Sequence, residues 1–552
     1  MLSNFLKTIL GAHSRAARRH AAALERGCAA YAAGRYDEAR EAAEDARRAL
    51  AGSADASYLL GLCACAAGDP QSAAVALERA IELGDGSGRY VAALADARLL
   101  QQREDDAEVL YRRAFPELAR EVAAIGEPPS PWKKAHPDWT SRLTNLSLPG
   151  PGASAEPQSW RPASLDDTRA AHILNWGLLL IRRRRARAGM YLIGEALRTD
   201  AGLGYGHAVL ALMHTLDQAW PEALAAGLAA RELGSDAFAG ATDLCIVSAQ
   251  LGLGYGAREL DAVFDWQPLG TAHDERYFDA LPALHGTPFP AFTPCVVVYL
   301  VCCDPDYLLE HALALAYSIR DRAASAALHL HLFGPTPDAW HALDKLRAAI
   351  APVSLSVTWE SVQFDQYGGK SLYCACARFA RLHQLVLSTP NRVVMFDADS
   401  LLRADLAPAL ADRRDIALVV ADYEPPWHRY PAFCTAFTNS PETSHFLGRL
   451  GAFLATNLVN GKARYYLDQL GLYACTLLCG EQVAKGIEIL PVQKFCDSLF
   501  SEEALAWTVT QNKNQDSPFA EYKRALLARY DAPPETADVC VISQDRDRPG
   551  LF

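Results

Sequence analysis

The sequence predicts a multidomain chain: an all-α helical-repeat N-terminal half, then a Rossmann-like α/β C-terminal half. Three observations predict it. Small residues recur at a fixed step of 34 through the first part of the chain. From about residue 290, β-rich apolar runs alternate with helical patterns. One of those runs ends in the acidic triplet Asp397-Ala398-Asp399.

The totals set the frame. A chain of 552 residues is too long for one core and predicts about two to four domains. Half the residues are hydrophobic and 21% are charged, as in folded, soluble protein. The formal net charge of -12 argues against a nucleic-acid partner, which would need a basic surface. The run Arg182 to Arg185 reads as a solvated helix face. Residues 1–20 read as an N-terminal helix or tail, too short and broken in its apolar stretch for a signal peptide. No stretch approaches the roughly 20 apolar residues of a membrane span. The 14 cysteines contain no C-x-x-C pair, which predicts reduced thiols and a cytoplasmic location.

The repeats come first in the chain. Gly27 and Gly61 lie 34 apart, as do Gly34 and Gly68, Ala39 and Ala73, and Ala46 and Ala80. A further step reaches Ala95, Gln102, Ala107 and Ala114. Small side chains let the two helices of a hairpin approach closely, and Gly34 and Gly68 suit the turn between them. With Tyr31, Tyr36 and Pro116, this resembles the tetratricopeptide repeat over residues 21–118, within a repeat region of 21–123. Residues 124–166, rich in Pro, Ser and Gly, read as a linker. A second, looser repeat block is expected over residues 168–268, within a region of 167–285. Ala196 and Ala230, and Ala223 and Ala257, are 34 apart there, and Trp176-Gly177 opens its first hairpin. His207 and His214 read as structural residues. Stacked hairpins offer a concave surface, which usually binds a protein or peptide.

A region of 286–530 then carries the α/β pattern. Cys295–Val301 is a buried strand, Leu308–Arg320 a helix, Leu328–Phe333 a strand, Trp340–Ile350 a helix and Val353–Trp359 a strand. This order predicts a parallel sheet, whose ligands bind beyond the carboxyl ends of the strands. Asp304 and Asp306 follow the first strand, where carboxylates can accept hydrogen bonds from a base and a ribose, and Tyr307 can stack. The same residues also read as a simple capped turn. Val393–Phe396 is a short strand followed by Asp397 and Asp399. An extended backbone places such residues on one side, where they can share a divalent cation, Mn2+ or Mg2+, that bridges a nucleotide diphosphate. An exposed turn is the alternative.

Residues 295–515 resemble a retaining GT-A glycosyltransferase of the glycogenin and bacterial lipooligosaccharide galactosyltransferase type. The resemblance implies that Cys302, Asp304, Asp306 and Tyr307 hold the nucleoside, a uridine one. It implies that Arg378, in Tyr373-x4-Arg378-Phe379, approaches the donor sugar and the metal-site carboxylates. Asp397 and Asp399 match the metal-binding pair, and Asp468-Gln469 match the pair that contacts the transferred sugar. Two motifs depart. The family's Asn-Ala-Gly is missing near Ala432-Phe433-Cys434. Placing Lys513 on the family's phosphate-binding Lys puts Trp507 where a metal-binding His stands and Thr510 where a Gly stands, so Asp497 or water would complete the metal.

The function expected is therefore a metal-dependent transfer of a sugar from a nucleotide sugar, a UDP-sugar, to a protein or glycan acceptor selected by the repeats. One alternative is a scaffold whose transferase-like domain only binds. A nucleotidyltransferase is the other, and Asp304-Pro305-Asp306-Tyr307-Leu308 lacks its glycine-rich loop. Residues 531–552 read as a tail, with Asp538–Ser543 a short strand.

Overall fold

The computed structural model of the chain describes residues 2–84, 86–126, 168–235, 240–270, 275–286, 297–422, 424–509 and 516–530. Most of the expected linker, Cys295, Thr510, Lys513 and the tail after Tyr530 lie outside the described residues. The chain divides into two compact units, Met1–Ala249 and Gln250–Arg548. The first is all helical and the second is α/β. No described helix is long and apolar enough to cross a membrane.

The first unit is built of antiparallel helix pairs. Leu2–Ala32 pairs with Tyr36–Ala49, Ala54–Ala66 with Pro70–Leu83, and Gly88–Leu100 with Glu104–Ala114. After Pro116–Ala124, two more pairs follow: Thr168–Arg182 with Ala186–Thr199, and Gly204–Leu216 with Trp220–Glu232. The small-residue columns lie where the helices cross. Ala39, Ala46, Ala73, Ala80 and Ala107 are fully buried, and so are Ala196, Ala223 and Ala230. At the crossing of Gly177 and Gly189, a Cβ on Gly189 would lie 2.6 Å from the Gly177 carbonyl oxygen. Nothing larger than glycine fits that approach.

The inter-helix turns carry a stronger periodic signal than the glycines alone. Gly34 and Gly68 have φ of +73° and +71°, and Gln102 keeps the conformation at +60° without being glycine. Arg184 (+59°) and Gln218 (+56°), again 34 apart, do the same in the second block. The step from Ala223 to Ala257 does not extend the array. Ala257 sits in a turn, after helix Ala241–Gly252 ends and Gly254 takes φ +84°.

The arginine run is not a solvated face. Arg182 meets Glu104 at 2.7 Å, and Arg183 and Arg185 meet Glu108 at 2.8 and 3.2 Å. Trp176 stacks on Tyr111 and Phe115 at 6.0 and 6.4 Å. His172 and Asn175 bond Asp96 at 2.6 and 3.0 Å. The second block is thus stacked directly on the first, although 41 residues (127–167) separate the described ends in sequence.

The second unit is organised by an eight-stranded sheet of order β1-β4-β3-β2-β5-β8-β7-β9. Its strands are β1 (His285–Gly286), β2 (Val297–Cys303), β3 (Ala326–Phe333), β4 (Ser354–Glu360), β5 (Val393–Phe396), β7 (Ile416–Val420), β8 (Cys434–Phe437) and β9 (Ile487–Pro491). A small second sheet joins β6 (Ser400–Leu402), β10 (Cys496–Asp497) and β11 (Ala506–Thr508). The three strands on which a parallel sheet was expected, β2, β3 and β4, do run parallel, but the sheet as a whole is mixed. β4, β3, β2 and β5 run parallel, but β1 and β8 are antiparallel to their neighbours.

Side chains alternate across the sheet as the pleat requires. Tyr299, Val301, Leu328, Leu330, Val394 and Phe396 share a core with helices Leu313–Arg322 and Pro337–Ala349. Val298, Leu300, Val393 and Met395 are buried on the other face, where helix Lys370–Val386 packs on β2 and on helix Pro441–Val459.

Residues ahead of the sheet belong to this unit too. Trp266 stacks on Phe453 at 5.0 Å, and Asp265 donates its N–H to Asn457 Oδ1 at 2.9 Å. Tyr277 Oη and His383 Nδ1 are 2.8 Å apart, and β1 pairs with β4. The described residues 266–270 and 275–286 therefore strap the two long helices.

Candidate active site

The connections β2→β3→β4 step one way across the sheet, and β5 then returns to the far side of β2. Crossovers lead away from both sides of the gap between β2 and β5, the kind of switch point beyond whose strand ends open α/β sheets bind ligands in a crevice. Val301 pairs with Phe396, so Cys302 and Asp397 are the next residues on the two strands. The sequence fills this crevice with carboxylates.

Asp304 follows β2 and caps the next turn. Its Oδ1 accepts the N–H groups of Asp306 at 2.8 Å and Tyr307 at 3.2 Å. This capped turn was one of the two readings of the segment. Lys370, which the sequence reading missed, reaches back to it. Its Nζ lies 2.7 Å from Asp306 Oδ2 and 3.5 Å from Asp304 Oδ1. Burial lowers the Lys370 pKa, but Asp306 and Asp304 outweigh it and the net shift is upward. The legible signal was local: Gly368 and Gly369 at φ +82° and +111° mark a helix start, with Lys370 its first residue. Tyr307 lies against His311, with ring centres 5.2 Å apart.

Arg378 is the hub. It lies on helix Lys370–Val386 and uses all three guanidinium nitrogens: Nε to the Ala375 carbonyl at 3.1 Å, Nη1 to Asp397, and Nη2 to Asp468 Oδ2 at 2.9 Å. Burial works against its charge, but Asp397 and Asp468 raise its pKa above the ordinary value. Asp468 is buried in the first turn of helix Leu467–Leu478, and half-buried Gln469 follows it. The residue capping that helix, Tyr466, holds φ at +68° and packs against His428 with ring centres 4.2 Å apart. A non-glycine residue in this conformation is strained.

Asp397 and Asp399 sit in a turn between β5 and β6, not on an extended strand. Ser400 N–H bonds the Asp397 carbonyl at 3.2 Å, and Asp397 N–H bonds the Phe433 carbonyl at 3.0 Å. That places Phe433, where the family's Asn-Ala-Gly was sought, beside the triplet. Burial raises the Asp397 pKa, Arg378 lowers it, and the nearby Asp399 and Asp468 raise it, so the net direction is up.

The region expected to complete a metal shell is differently employed. Both oxygens of Asp497 accept backbone N–H groups of its own turn, from Leu499 at 3.2 Å and Ser501 at 3.0 Å. Trp507 donates its indole N–H to the Ser501 carbonyl at 2.8 Å and lies under Arg403. The residues alongside the triplet are Thr508, whose hydroxyl bonds Ser400 at 3.1 Å, and Val509, whose N–H bonds the Asp399 carbonyl at 3.3 Å. Among the described residues no three His, Cys, Asp or Glu side chains converge as a metal cluster. Two adjacent carboxylates still suit a magnesium-like ion, which takes one or two of them and completes its shell with phosphate oxygens and water.

Cys302 lies between these groups, within electrostatic reach of Arg378, Glu360, Arg381 and Asp397. Burial pushes its thiol pKa up to about 12, so it contributes a neutral side chain. The structure thus brings together Arg378, Asp397 and Asp468, sets Asp399 and Cys302 beside them, and places Asp304, Asp306 and Tyr307 at the neighbouring strand end.

Comparison with known proteins adds the following. Residues 24–88 match the tetratricopeptide repeat family model. No curated protein matches the chain in sequence. Among solved structures, the chain is similar to an active-site mutant of LgtC at 10% identity and TM-score 0.30, over 42% of this chain and 95% of that one. It is similar to the bifunctional glycosyltransferase WbbM at 13% and 0.31, over 44% of this chain and 53% of that one. It is likewise similar to the glycosyltransferase GlyE of Streptococcus pneumoniae TIGR4 at 14% and 0.31, over 44% and 64%.

Proposed function

We propose that the α/β unit transfers a sugar from a nucleotide sugar, a UDP-sugar, to an acceptor selected by the helical repeats. One observation carries this reading: Arg378 joins Asp397 and Asp468 at the sheet's topological switch point, with Asp399 and Asp304 beside them. Such a crevice suits a ligand that is anionic at one end and rich in hydroxyls at the other. Asp304 and Asp306 supply acceptors for nucleoside hydroxyls, and Tyr307 a face for the base. Arg378 spends its fork on Asp397 and Asp468, which fixes those carboxylates, and leaves its remaining Nη–H groups for phosphate or sugar oxygens. Asp397 and Asp399 would hold Mn2+ or Mg2+, which supplies Lewis-acid neutralisation of the diphosphate leaving group. Asp468 and Gln469 face the transferred sugar. In a retaining transfer the leaving phosphate can take the acceptor's proton, so no further base is required.

A second reading, binding without turnover, is favoured by one observation: Arg378 already compensates the charge of Asp397. One experiment separates the two. Purified full-length protein is incubated with a panel of nucleotide sugars, with and without Mn2+. Metal-dependent release of nucleoside diphosphate is expected from a UDP-sugar. Binding of UDP with no release from any donor would favour the second reading.

A further inference from the structure

One buried ionic network has no part in the chemistry above. Glu360 ends β4 with no exposed surface, and Arg381 lies on the same helix as Arg378, one turn further along, at 1% exposure. Arg381 Nε bonds Glu360 Oε2 at 2.6 Å, its Nη1 bonds Gln384 at 2.7 Å, and its Nη2 bonds the Pro282 carbonyl at 2.5 Å. Tyr373, also on that helix, donates its hydroxyl to Glu360 Oε1. His331 of β3 stands 3.6 Å from the same carboxylate.

A fully buried ion pair is a poor way to gain stability, because desolvating both charges offsets most of their attraction. Its use is better sought in what it orients. The helix carries two arginines, each with all three nitrogens engaged. Arg378 reaches the carboxylate after β5, and Arg381 reaches the one that ends β4. Cys302 of β2 lies between and is within electrostatic reach of both pairs. The helix is therefore pinned at both flanks of the crevice. Pro282, in the strap ahead of the sheet, fixes Arg381 from a third side.

We propose that Glu360 and Arg381 are positioning residues for Arg378: they fix the rotation and height of helix Lys370–Val386, so that the Arg378 fork meets Asp397 and Asp468 together. This rests on the transferase reading of the site. The pair is not among the residues assigned to donor or metal, and so should govern turnover more than affinity.

The test uses the full-length chain and two variants. Arg381→Lys keeps the charge but loses the fork. The paired Glu360→Gln/Arg381→Met replacement removes both charges and leaves neither buried alone. In both, kcat for UDP-sugar hydrolysis should fall about tenfold or more while the Kd for UDP with Mn2+ stays within about threefold. A paired variant with wild-type Tm and wild-type kcat would overturn the proposal. Hydrogen exchange provides an arm that needs no activity. Amides of residues 374–384 should exchange about tenfold faster in the paired variant, while those of helix Pro337–Ala349 do not change. If the wild-type chain turns over no donor, the transferase reading fails, and exchange alone decides whether the helix is pinned. Unchanged exchange overturns the pinning as well.

Discussion

Both units bury ionic clusters that join segments distant in sequence, but they balance the charge differently. In the helical unit Glu108 faces Arg112, Arg183 and Arg185. Burial raises its pKa, the arginines outweigh that, and the carboxyl is held below its usual range. At the sheet's switch point, Arg378 faces both Asp397 and Asp468, with Asp399 adjacent, and Asp397 is pushed up instead. The first cluster is neutralised within the protein and ties two blocks of helices. The second gathers three carboxylates around one arginine at the end of two strands, with His311 and Lys523 on the side of Asp399. The first cluster is structural, whereas the second lies where the sheet's topology favours a ligand.

Neutralising one carboxylate in each cluster should break the comparison most sharply. Asp399→Asn is expected to lower donor turnover by roughly a hundredfold or more, because the leaving diphosphate loses its cation. The same change removes like-charge repulsion, so Tm should stay level or rise. Glu108→Gln should leave turnover unchanged and cost about 1–2 kcal/mol of stability in the helical unit, read by urea unfolding. Full turnover in Asp399→Asn at low metal would remove the metal assignment.

The two units also differ in where they begin. A fragment starting at Gln250 keeps the strap, whereas one starting at residue 287 loses the contacts of Trp266 and Tyr277. Trp266→Ala in the full chain should destabilise the α/β unit by about 3–5 kcal/mol in chemical unfolding. An unchanged midpoint would mean the strap is dispensable. The fragment from Gln250, if folded, should still hydrolyse donor slowly, while transfer to the native acceptor falls much further.

The legibility of the sequence follows the range of each signal. The 34-residue columns were legible as glycine and alanine, because close helix crossings restrict side-chain size directly. The turn column was only half legible. Gln102, Arg184 and Gln218 adopt the glycine conformation without being glycine, so composition hides the period that φ reveals. Val393–Phe396 matches β5 residue for residue, and Arg378, Asp397 and Asp468, far apart in sequence, do meet. Glu360 and Arg381 were missed, because their role depends on partners remote in sequence and no local pattern marks them; Lys370 was missed although Gly368-Gly369 marks the start of its helix. β8 was missed as a strand, because Cys434–Phe437 is only four residues long and buried throughout, with no alternation to mark it.

Acid should act on the sheet through its buried histidines. His329 bonds Ser356 and Thr358 at 2.8 and 2.9 Å, and burial, together with the neighbouring His331, lowers its pKa to about 3. The folded value lies below the unfolded one, so this contribution is complete above about pH 6.5 and is lost as pH falls towards 3. Below about pH 6 each unit should cost on the order of 1.4 kcal/mol. Unfolding curves at pH 7.5 and 5 for wild type and His329→Gln measure it, and equal slopes would contradict it. The smallest effect is expected at the repeat turns. Gln218→Gly should stabilise the helical unit by about 0.5 kcal/mol, as relief of left-handed strain exceeds the extra entropy of the unfolded chain. A loss of stability would mean that the Gln218 side chain contributes contacts of its own.

The central claim is that the switch-point crevice binds a nucleoside diphosphate through a metal held by Asp397 and Asp399. Calorimetric titration of the full-length protein tests it most directly, with UDP, GDP, ADP and CDP as ligands, in Mn2+ and again in chelator. UDP is expected to bind best, to need the metal, and to lose most of its affinity in Asp399→Asn. UDP binding that is equally tight in chelator and in Asp399→Asn would contradict the claim.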